Sequence, residues 1–257
     1  MIDSHTHLND PRLLAHVDEL LARMTAAHIG GALLVGYDLP SSRVAVDLAA
    51  RYPLLLRAAV GVHPHDSKDL DDAALDALRE LARQPLVVAI GEIGLDFHYD
   101  HSPREAQRQA FRRQLALAAE LGLPIIIHER EAVEETMHIM DEQQGWALGG
   151  TWHCCSTSPE QALTIARALY LGIAGWITFK QADNIRALAR AVPLDRLLLE
   201  TDAPYITPVP HRGTPNEPAY IHFTAQALAD LKEMPLEEVE KITEHNTYQA
   251  FPRWQGG

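Results

Sequence analysis

Apolar runs alternate with longer amphipathic segments from one end of the chain to the other. Several runs, such as LVVAIG and PIIIH, are apolar at successive positions, which is typical of strands buried on both faces of a parallel sheet. The segments between them carry apolar residues at helical spacing. The pattern predicts eight strands, at residues 2–7, 31–36, 56–62, 87–93, 124–128, 150–153, 172–177 and 197–202.

Two helical segments begin with a predicted capping box, in which a serine and a Glu or Gln three positions later accept hydrogen bonds from each other's backbone. They are SPRE at 102–105, with Ser102 as N-cap and Pro103 at the first helical position, and SPEQ at 158–161. The first of these helices is predicted to end at Gly122. Two further helices are predicted after the eighth strand, at about residues 218–232 and 236–248.

Eight strand–helix units in 257 residues match the usual size of a (β/α)8 TIM barrel. The competing α/β architecture, a doubly wound open sheet, more often carries a glycine-rich phosphate loop after its first strand. Here the first strand ends in the polar segment HTH instead. We therefore predict an α/β fold, a single-domain (β/α)8 TIM barrel over residues 1–257, with its active site at the carboxyl ends of the strands.

Composition limits the partners. The 22 basic and 35 acidic residues give a formal net charge of -13, which argues against a broad positive groove for long nucleic acid. This charge does not exclude a site for a short stretch of nucleic acid, because bound divalent cations add local positive charge. The cysteines, Cys154 and Cys155, are adjacent and poorly placed to pair with each other, which favours a reducing compartment. Without a long apolar run or a secretory signal pattern, we expect a cytoplasmic protein with no membrane contact and no obligate protein partner.

Metal-competent side chains close six of the eight predicted strands. His5 and His7 lie two positions apart, so in a strand they face the same side. Each such residue alone has an ordinary explanation, as a surface histidine or a helix N-cap. Six coincidences at the same phase of the repeat are harder to explain in this way. The later strand ends present His63 and His65, Glu92 and Asp96, His128 and Arg130, His153, and Glu200 and Asp202.

Four imidazoles and two carboxylates among these residues form a predicted metal site. Mixed nitrogen and oxygen donors suit Zn, Mn, Fe, Co or Ni, and with water they also tolerate Mg. Six ligands exceed the three that a catalytic zinc ion takes from a protein, so we predict two divalent metal ions with a bridging carboxylate such as Glu92. The predicted ligands are His5, His7, Glu92, His128, His153 and Asp202.

The motifs GEIGLD, PIIIHER, WHCCS and LLLETDAPY followed by PHRGTPNEP, after the initial HxH, resemble the TatD family of metal-dependent deoxyribonucleases. That family belongs to the amidohydrolase superfamily of (β/α)8 barrels, and the resemblance spans essentially the whole chain. Related barrels bridge their metals with a carbamylated lysine, but no lysine occurs here between Lys68 and Lys180. Two departures, HCCST where HCFSG is common and Glu129 in HER, alter no predicted ligand.

The resemblance also implies roles. His5, His7, Glu92 and Asp202 would bind the first metal. Glu92 would be shared with a second metal, bound by His128 and His153. His63, in the GxHP motif, would contact the scissile phosphate of DNA.

The expected chemistry is attack on phosphorus by a water that two divalent ions activate, with Mg or Mn as the working metals. We expect Asp202 to orient this water and take its proton, so that Asp202, Glu92 and His63 form the catalytic set. For Glu200 two roles stay open, support of a ligand histidine or a contact that stabilises the fold. Flanking phosphates would be held by Arg130, His211 and Arg212, for which a surface-loop role is the alternative.

The leading interpretation is a metal-dependent deoxyribonuclease acting on short or single-stranded DNA ends. The alternative is a two-metal hydrolase of an amide, ester or lactone, because the same activated water can attack a carbonyl carbon. A non-catalytic barrel is disfavoured, since all six predicted ligands are present.

Overall fold

The computed structural model describes residues 1–255 and contains eight β-strands alternating with α-helices. The strands are β1 Ile2–Thr6, β2 Gly31–Val35, β3 Leu56–Val60, β4 Val87–Asp96, β5 Ile125–Arg130, β6 Gly150–Trp152, β7 Tyr170–Ile173 and β8 Leu197–Leu199. The helices are α1 Pro11–Leu14, α2 Val17–Ala26, α3 Leu39–Arg51, α4 Asp72–Ala82, α5 Arg104–Leu121, α6 Val133–Glu142, α7 Pro159–Ile165, α8 Asp183–Ala191, α9 Ile221–Lys232 and α10 Leu236–Ala250. Short 3-10 helices cover Pro64–Asp69, Gly145–Leu148, Gly175–Thr178, Leu194–Arg196, Pro218–Tyr220 and Pro252–Gln255.

The strands follow one another in the sheet in chain order, from β1 to β8. The pairs β3–β4, β4–β5, β5–β6 and β7–β8 are parallel. This arrangement is a (β/α)8 barrel, so the predicted fold class is confirmed. The chain divides into two compact units: unit 1 comprises 1–33 and 154–249, and unit 2 comprises 34–153 and the segment from Ala250 onward. That residues 1–257 form one domain stays a prediction, and its last two residues lie outside the described part of the chain.

In unit 2, β4 extends three residues beyond its predicted end because it continues to pair with β5. Gly94 lies opposite His128, and Asp96 lies opposite Arg130. A side chain at Gly94 is excluded, since its Cβ would lie 1.9 Å from the backbone oxygen of His128 and its φ is 144°. This close approach places Glu92 and Asp96 of β4 beside β5.

In unit 1, β7 and β8 are shorter than predicted at their carboxyl ends. The apolar sequence after β7 continues into the 3-10 helix Gly175–Thr178, where a Cβ on Gly175 would lie 2.3 Å from the oxygen of Ile206. After β8, the backbone N–H of Thr201 donates to the Asp3 side chain at 2.9 Å. Apolar periodicity alone cannot distinguish these turns from strand.

The observed helix starts confirm one of the two predicted capping boxes and contradict the other. The box at Ser158 is confirmed, with reciprocal hydrogen bonds to Gln161 at the start of α7. The box at Ser102 is wrong, because α5 begins at Arg104 without a side-chain cap. The Ser102 hydroxyl instead donates to the His65 carbonyl at 2.6 Å.

The predicted end of α5 is confirmed, with Gly122 in the left-handed conformation at φ 61°. The two helices predicted after β8 are observed as α9 and α10. Within the described residues, the structure contains no helix with the length and apolarity needed to cross a lipid bilayer.

Candidate metal centre

In unit 1, two histidines and one aspartate form a buried group, which we call the His5 cluster (His5, His7 and Asp202). The Nε2 atoms of His5 and His7 lie 3.2 Å apart. The Asp202 Oδ1 atom lies 3.3 Å from His7 Nε2 and 3.8 Å from His5 Nε2. All three side chains are buried, so three donor groups face one another in an environment of low dielectric.

Backbone hydrogen bonds hold the His5 cluster in place. The N–H of Asp202 donates to the carbonyl of His5 at 2.9 Å, and the N–H of His7 donates to Ala203 at 2.8 Å. Asp202 adopts φ 54°, in the left-handed region that non-glycine residues seldom occupy. Strained backbone of this kind is concentrated at functional sites, where surrounding contacts maintain it.

Two buried polar residues support the same segment. Asp3 in β1 accepts hydrogen bonds from the Thr201 backbone at 2.9 Å and from the Thr201 hydroxyl at 2.6 Å. Burial raises the pKa of Asp3 to about 8, although these hydrogen bonds lower it. Asn216, in the PNEP segment, donates to the Thr201 carbonyl at 2.7 Å and to the Tyr205 carbonyl at 2.8 Å. The loop after β8 is thereby fixed next to Asp202.

In unit 2, a buried glutamate lies among three imidazoles, which together we call the Glu92 cluster (His63, Glu92, His128 and His153). Glu92 Oε1 lies 2.8 Å from His128 Nδ1, 3.4 Å from His153 Nε2 and 3.7 Å from His63 Nε2. The rings of His63 and His128 are 4.2 Å apart between centroids. Glu92 lies within β4 and His128 within β5. His63 follows β3 after two residues, and His153 directly follows β6.

Asp96 extends this cluster on the other side of His128. Its Oδ2 atom lies 3.1 Å from His128 Nε2 and 3.0 Å from His65 Nε2. Its Oδ1 atom accepts the backbone N–H groups of His98 and Tyr99. Although burial raises the pKa of Asp96, its hydrogen bonds to His128 and His65 hold that pKa well below the ordinary value. The sequence placed Asp96 at a strand end but indicated no role for it, because its partners depend on the pairing of β4 with β5.

Two neighbouring histidines of the Glu92 cluster, His63 and His128, have pKa values shifted in opposite directions. Burial lowers the pKa of His63 well below its ordinary value, and the neighbouring His128 charge adds to this effect. Burial also lowers the pKa of His128, but its hydrogen bonds to Asp96 and Glu92 outweigh burial and raise it. His63 is therefore neutral at pH 7.

The tautomer of His63 follows from one hydrogen bond. Its Nδ1 atom accepts the backbone N–H of His65 at 3.1 Å, so in the neutral ring the proton is on Nε2. A protonated Nε2 can donate a hydrogen bond but cannot coordinate a cation. His63 thus suits the predicted contact with a phosphate oxygen better than the role of a metal ligand.

The donor separations fit divalent cations. Two donors that bind one tetrahedral ion at about 2.1 Å each lie roughly 3.4 Å apart. The His5–His7 and His7–Asp202 separations of 3.2 and 3.3 Å, and the His153–Glu92 separation of 3.4 Å, are close to that value. Buried imidazole nitrogen and carboxylate oxygen suit Zn, Mn, Fe, Co or Ni, and carboxylates also suit Mg. The donor sets of both clusters therefore fit the predicted cofactor class.

The predicted phosphate-binding residues lie in different surroundings. Arg130, at the end of β5, stacks its guanidinium over the Tyr99 ring at 4.7 Å. The His211 ring lies flat on that of Tyr220, with centroids 4.1 Å apart. The exposed Arg212 lies 3.9 Å above the ring of Phe179, a residue for which the sequence suggested no function. Both arginines are thus presented beside aromatic rings.

Glu200, whose role the sequence left open, contacts the backbone near a predicted ligand. It is fully buried, and its Oε1 atom accepts the N–H of Cys154 at 2.6 Å. Cys154 directly follows His153 and adopts φ 44°. Glu200 therefore positions the chain immediately after that histidine.

Known proteins match this chain along almost its full length. The family model described as TatD related DNase matches residues 2–252. A Bacillus subtilis relative, named as the uncharacterized metal-dependent hydrolase YabD, is 40% identical over 252 residues, covering 98% of each chain. A Salmonella typhimurium relative, named 3'-5' ssDNA/RNA exonuclease TatD, is 39% identical over 235 residues, covering 89% of this chain and 90% of the relative.

A solved structure extends the comparison to the fold. The TatD homolog YjjV of Escherichia coli superimposes with a TM-score of 0.92 at 30% identity, covering 98% of each chain. Because the family match and these relatives span most of its length, the chain belongs to the TatD family of metal-dependent hydrolases.

Proposed function

We propose that this chain is a divalent-metal-dependent deoxyribonuclease that hydrolyses phosphodiester bonds in short or single-stranded DNA. One observation carries the proposal: the buried Glu92 carboxylate is surrounded by the imidazoles of His63, His128 and His153. A relative named as an exonuclease for single-stranded DNA and RNA supports the substrate class.

The proposed metal ligands are those that the sequence predicted. His5, His7 and Asp202 would hold one ion, and His128 and His153 a second, with Mg or Mn as the working metals. That Glu92 serves both ions is a prediction from the family resemblance. Bound ions of this kind would lower the pKa of a water molecule and neutralise charge on the phosphate oxygens.

Side chains carry out the remaining steps of the proposed hydrolysis. Asp202 orients the attacking water and takes its proton, which its carboxylate can do as a general base. The Nε2–H of His63 donates to a non-bridging phosphate oxygen, where negative charge develops. Asp96 orients His128 by accepting from Nε2, which leaves Nδ1 on the Glu92 side. Arg130, His211 and Arg212 bind the flanking phosphates, with His211 and Arg212 in the same loop.

The direct test uses labelled single-stranded and duplex DNA oligonucleotides with the purified protein. Chelation should abolish cleavage, and added Mg or Mn should restore it. Glu92→Ala should lower kcat/KM by more than about a hundredfold, because removing a shared ligand should cost at least as much as removing an outer partner. Glu134→Ala, at an exposed position of α6, is the matched control and should cleave normally.

The alternative substrate class is decided in the same experiment. Esters, amides and lactones are offered beside the oligonucleotides and a phosphodiester reporter. Turnover of a carbonyl substrate with no cleavage of either phosphodiester would contradict the nuclease proposal. It would favour the alternative, a two-metal hydrolase of an amide, ester or lactone. Unchanged DNA cleavage by Glu92→Ala would refute the role of Glu92.

A further inference from the structure

A pocket of about 560 Å³ lies between the loop after β7 and the loop after β8, entirely within unit 1. Its volume is within the usual range for small-molecule sites. Neither the predicted metal ligands nor the proposed general base line it. The side chains that matter are Trp176, Phe179, Lys180, Gln181, Asn184 and Arg212.

The charge of this pocket is opposite to that of the protein. The whole chain carries a formal charge of -13, yet Lys180 and Arg212 line the pocket, and no Asp or Glu is among the described residues that line it. The neighbouring Asp183 lies outside the lining and is held by Arg186 at 2.7 Å. The pocket is therefore complementary to an anion.

The pocket also offers aromatic surface. Trp176 and Phe179 are both partly exposed, and the Arg212 guanidinium stacks on Phe179 at 3.9 Å. Aromatic rings with an adjacent arginine are the usual platform on which proteins stack unpaired bases. The amides of Gln181 and Asn184 add donors and acceptors of the kind that bases and sugars can meet.

The two loops are fixed to each other, so the pocket is already formed. The Val209 N–H donates to the Thr178 hydroxyl at 2.9 Å, and that hydroxyl donates to the Gly175 carbonyl at 2.6 Å. Both loops follow the carboxyl ends of their strands, as does Asp202. An oligonucleotide bound in this pocket would therefore lie at the end of unit 1 that carries the His5 cluster.

We propose that this pocket binds one nucleotide of a single-stranded oligonucleotide, outside the scissile bond. The base stacks on Trp176 and on the face of Phe179 that Arg212 does not cover, and Lys180 and Arg212 pair with its phosphate. Duplex DNA is excluded from this mode, because its bases are already stacked on one another. The inference rests on the proposed function, since it names where the substrate of that reaction continues.

The test measures binding apart from cleavage. Fluorescence anisotropy with fluorescein-labelled dT8, in Ca²⁺ in place of Mg²⁺ or Mn²⁺, gives Kd for the parent protein and the variants. Phe179→Leu removes the aromatic face but keeps apolar volume, and Lys180→Ala removes a charge. Each should raise Kd for dT8 about tenfold.

Two matched controls lie in the same unit. Tyr170→Leu removes another ring that carries an arginine, Arg196 at 5.5 Å, but at the opposite end of β7. Arg190→Ala removes an exposed charge from α8 outside the pocket. Both should bind dT8 within about twofold of the parent.

The outcomes separate the inference from the proposed function. If the pocket variants and the controls bind alike, or if the parent protein does not bind dT8, the inference is overturned. If only Lys180→Ala weakens binding, the pocket takes a phosphate without a stacked base, which also overturns it. Hydrolysis of bis(p-nitrophenyl) phosphate with Mn²⁺ tests the proposed function alone, because this reporter is a phosphodiester without a nucleobase.

Discussion

Asp96 is a single carboxylate that orders two histidines and a loop. One oxygen lies within hydrogen-bond distance of His128 and His65, and the other accepts two backbone N–H groups of the loop after β4. Outer partners of this kind fix the orientation of a ligand ring and increase its basicity. We therefore predict that Asp96 acts through His128 as a positioning residue.

Asp96→Asn should keep the shape of this residue but remove its charge. The pKa of His128 should fall because a charged partner is lost, and kcat/KM with Mn²⁺ should fall about 10–100-fold. Steady-state kinetics on a phosphodiester substrate measure the second effect, and NMR titration of the histidine ring measures the first.

Asp100→Asn is the control for this variant. Asp100 lies in the same loop, is exposed, and pairs with Arg104 at 2.8 Å. It should retain full activity. If Asp96→Asn is equally active, Asp96 serves the loop and not His128.

Gly172 leaves room for a second buried carboxylate, that of Glu200. A Cβ at this position would lie 2.2 Å from Glu200 Oε2, so Gly172→Ala must displace the group that holds the Cys154 backbone. We expect a loss of about 1–3 kcal/mol in the free energy of unfolding, measured in urea. Gly30→Ala should cost less, because its nearest neighbour would be 3.7 Å away. Equal losses in both variants would mean that Glu200 moves without cost.

At the scale of elements, identical local signals led to different structures. SPEQ caps α7 as its spacing predicts, whereas the serine of SPRE bonds to the His65 carbonyl in another segment. An N-cap serine accepts a backbone N–H of its own helix unless its hydroxyl oxygen is engaged by another segment. The buried Ser102 hydroxyl accepts the Lys68 N–H at 3.2 Å while it donates to His65, whereas the exposed Ser158 hydroxyl accepts the Gln161 N–H of its own helix.

Ser158→Ala should therefore behave as the loss of a simple N-cap. We expect the free energy of unfolding in urea to fall by about 1 kcal/mol, since one helix N–H loses its acceptor. Phosphodiesterase activity should be unchanged, because α7 carries no predicted ligand. An unaltered stability would show that solvent replaces the serine fully.

Strand positions were predicted well where burial is complete and less well where loops begin. All eight strands are present in order, but β7 and β8 end before their apolar runs do. Hydrophobicity reports burial, and a buried 3-10 turn such as Gly175–Thr178 is as apolar as a strand. The extension of β4 to Asp96 likewise depended on its pairing with β5.

At the scale of the whole molecule, the net charge bears on the predicted metal ions. Because the chain carries a formal charge of -13, bound cations would help it to hold a phosphodiester, and the donors of the two buried clusters fit such ions. Ions that bind only the folded chain also stabilise it.

Added Mn²⁺ should therefore raise the thermal unfolding temperature. At a hundredfold excess over Kd, binding at one site adds about 2.7 kcal/mol, which corresponds to a Tm increase of roughly 5–10 °C for a domain of this size. Differential scanning calorimetry with and without chelator measures it.

Glu92→Ala provides the comparison and should show a smaller increase, because one cluster loses its central carboxylate. A Tm that does not respond to Mn²⁺ in the parent protein would contradict metal binding by the folded state.

The sequence alone determined the alternation of strands and helices, the fold class and the residue types at each strand end. These properties arise from periodicity and from caps within a few residues, so a single chain displays them. The tertiary structure decided which atoms meet. The contact of His128 with Asp96 spans 32 residues, the bond of Ser102 to His65 spans 37, and both depend on how strands and loops pack. The tautomer of His63, the role of Asp96 and the pocket at Phe179 became visible only there, because hydrogen-bond partners and pockets are set by contacts between distant segments.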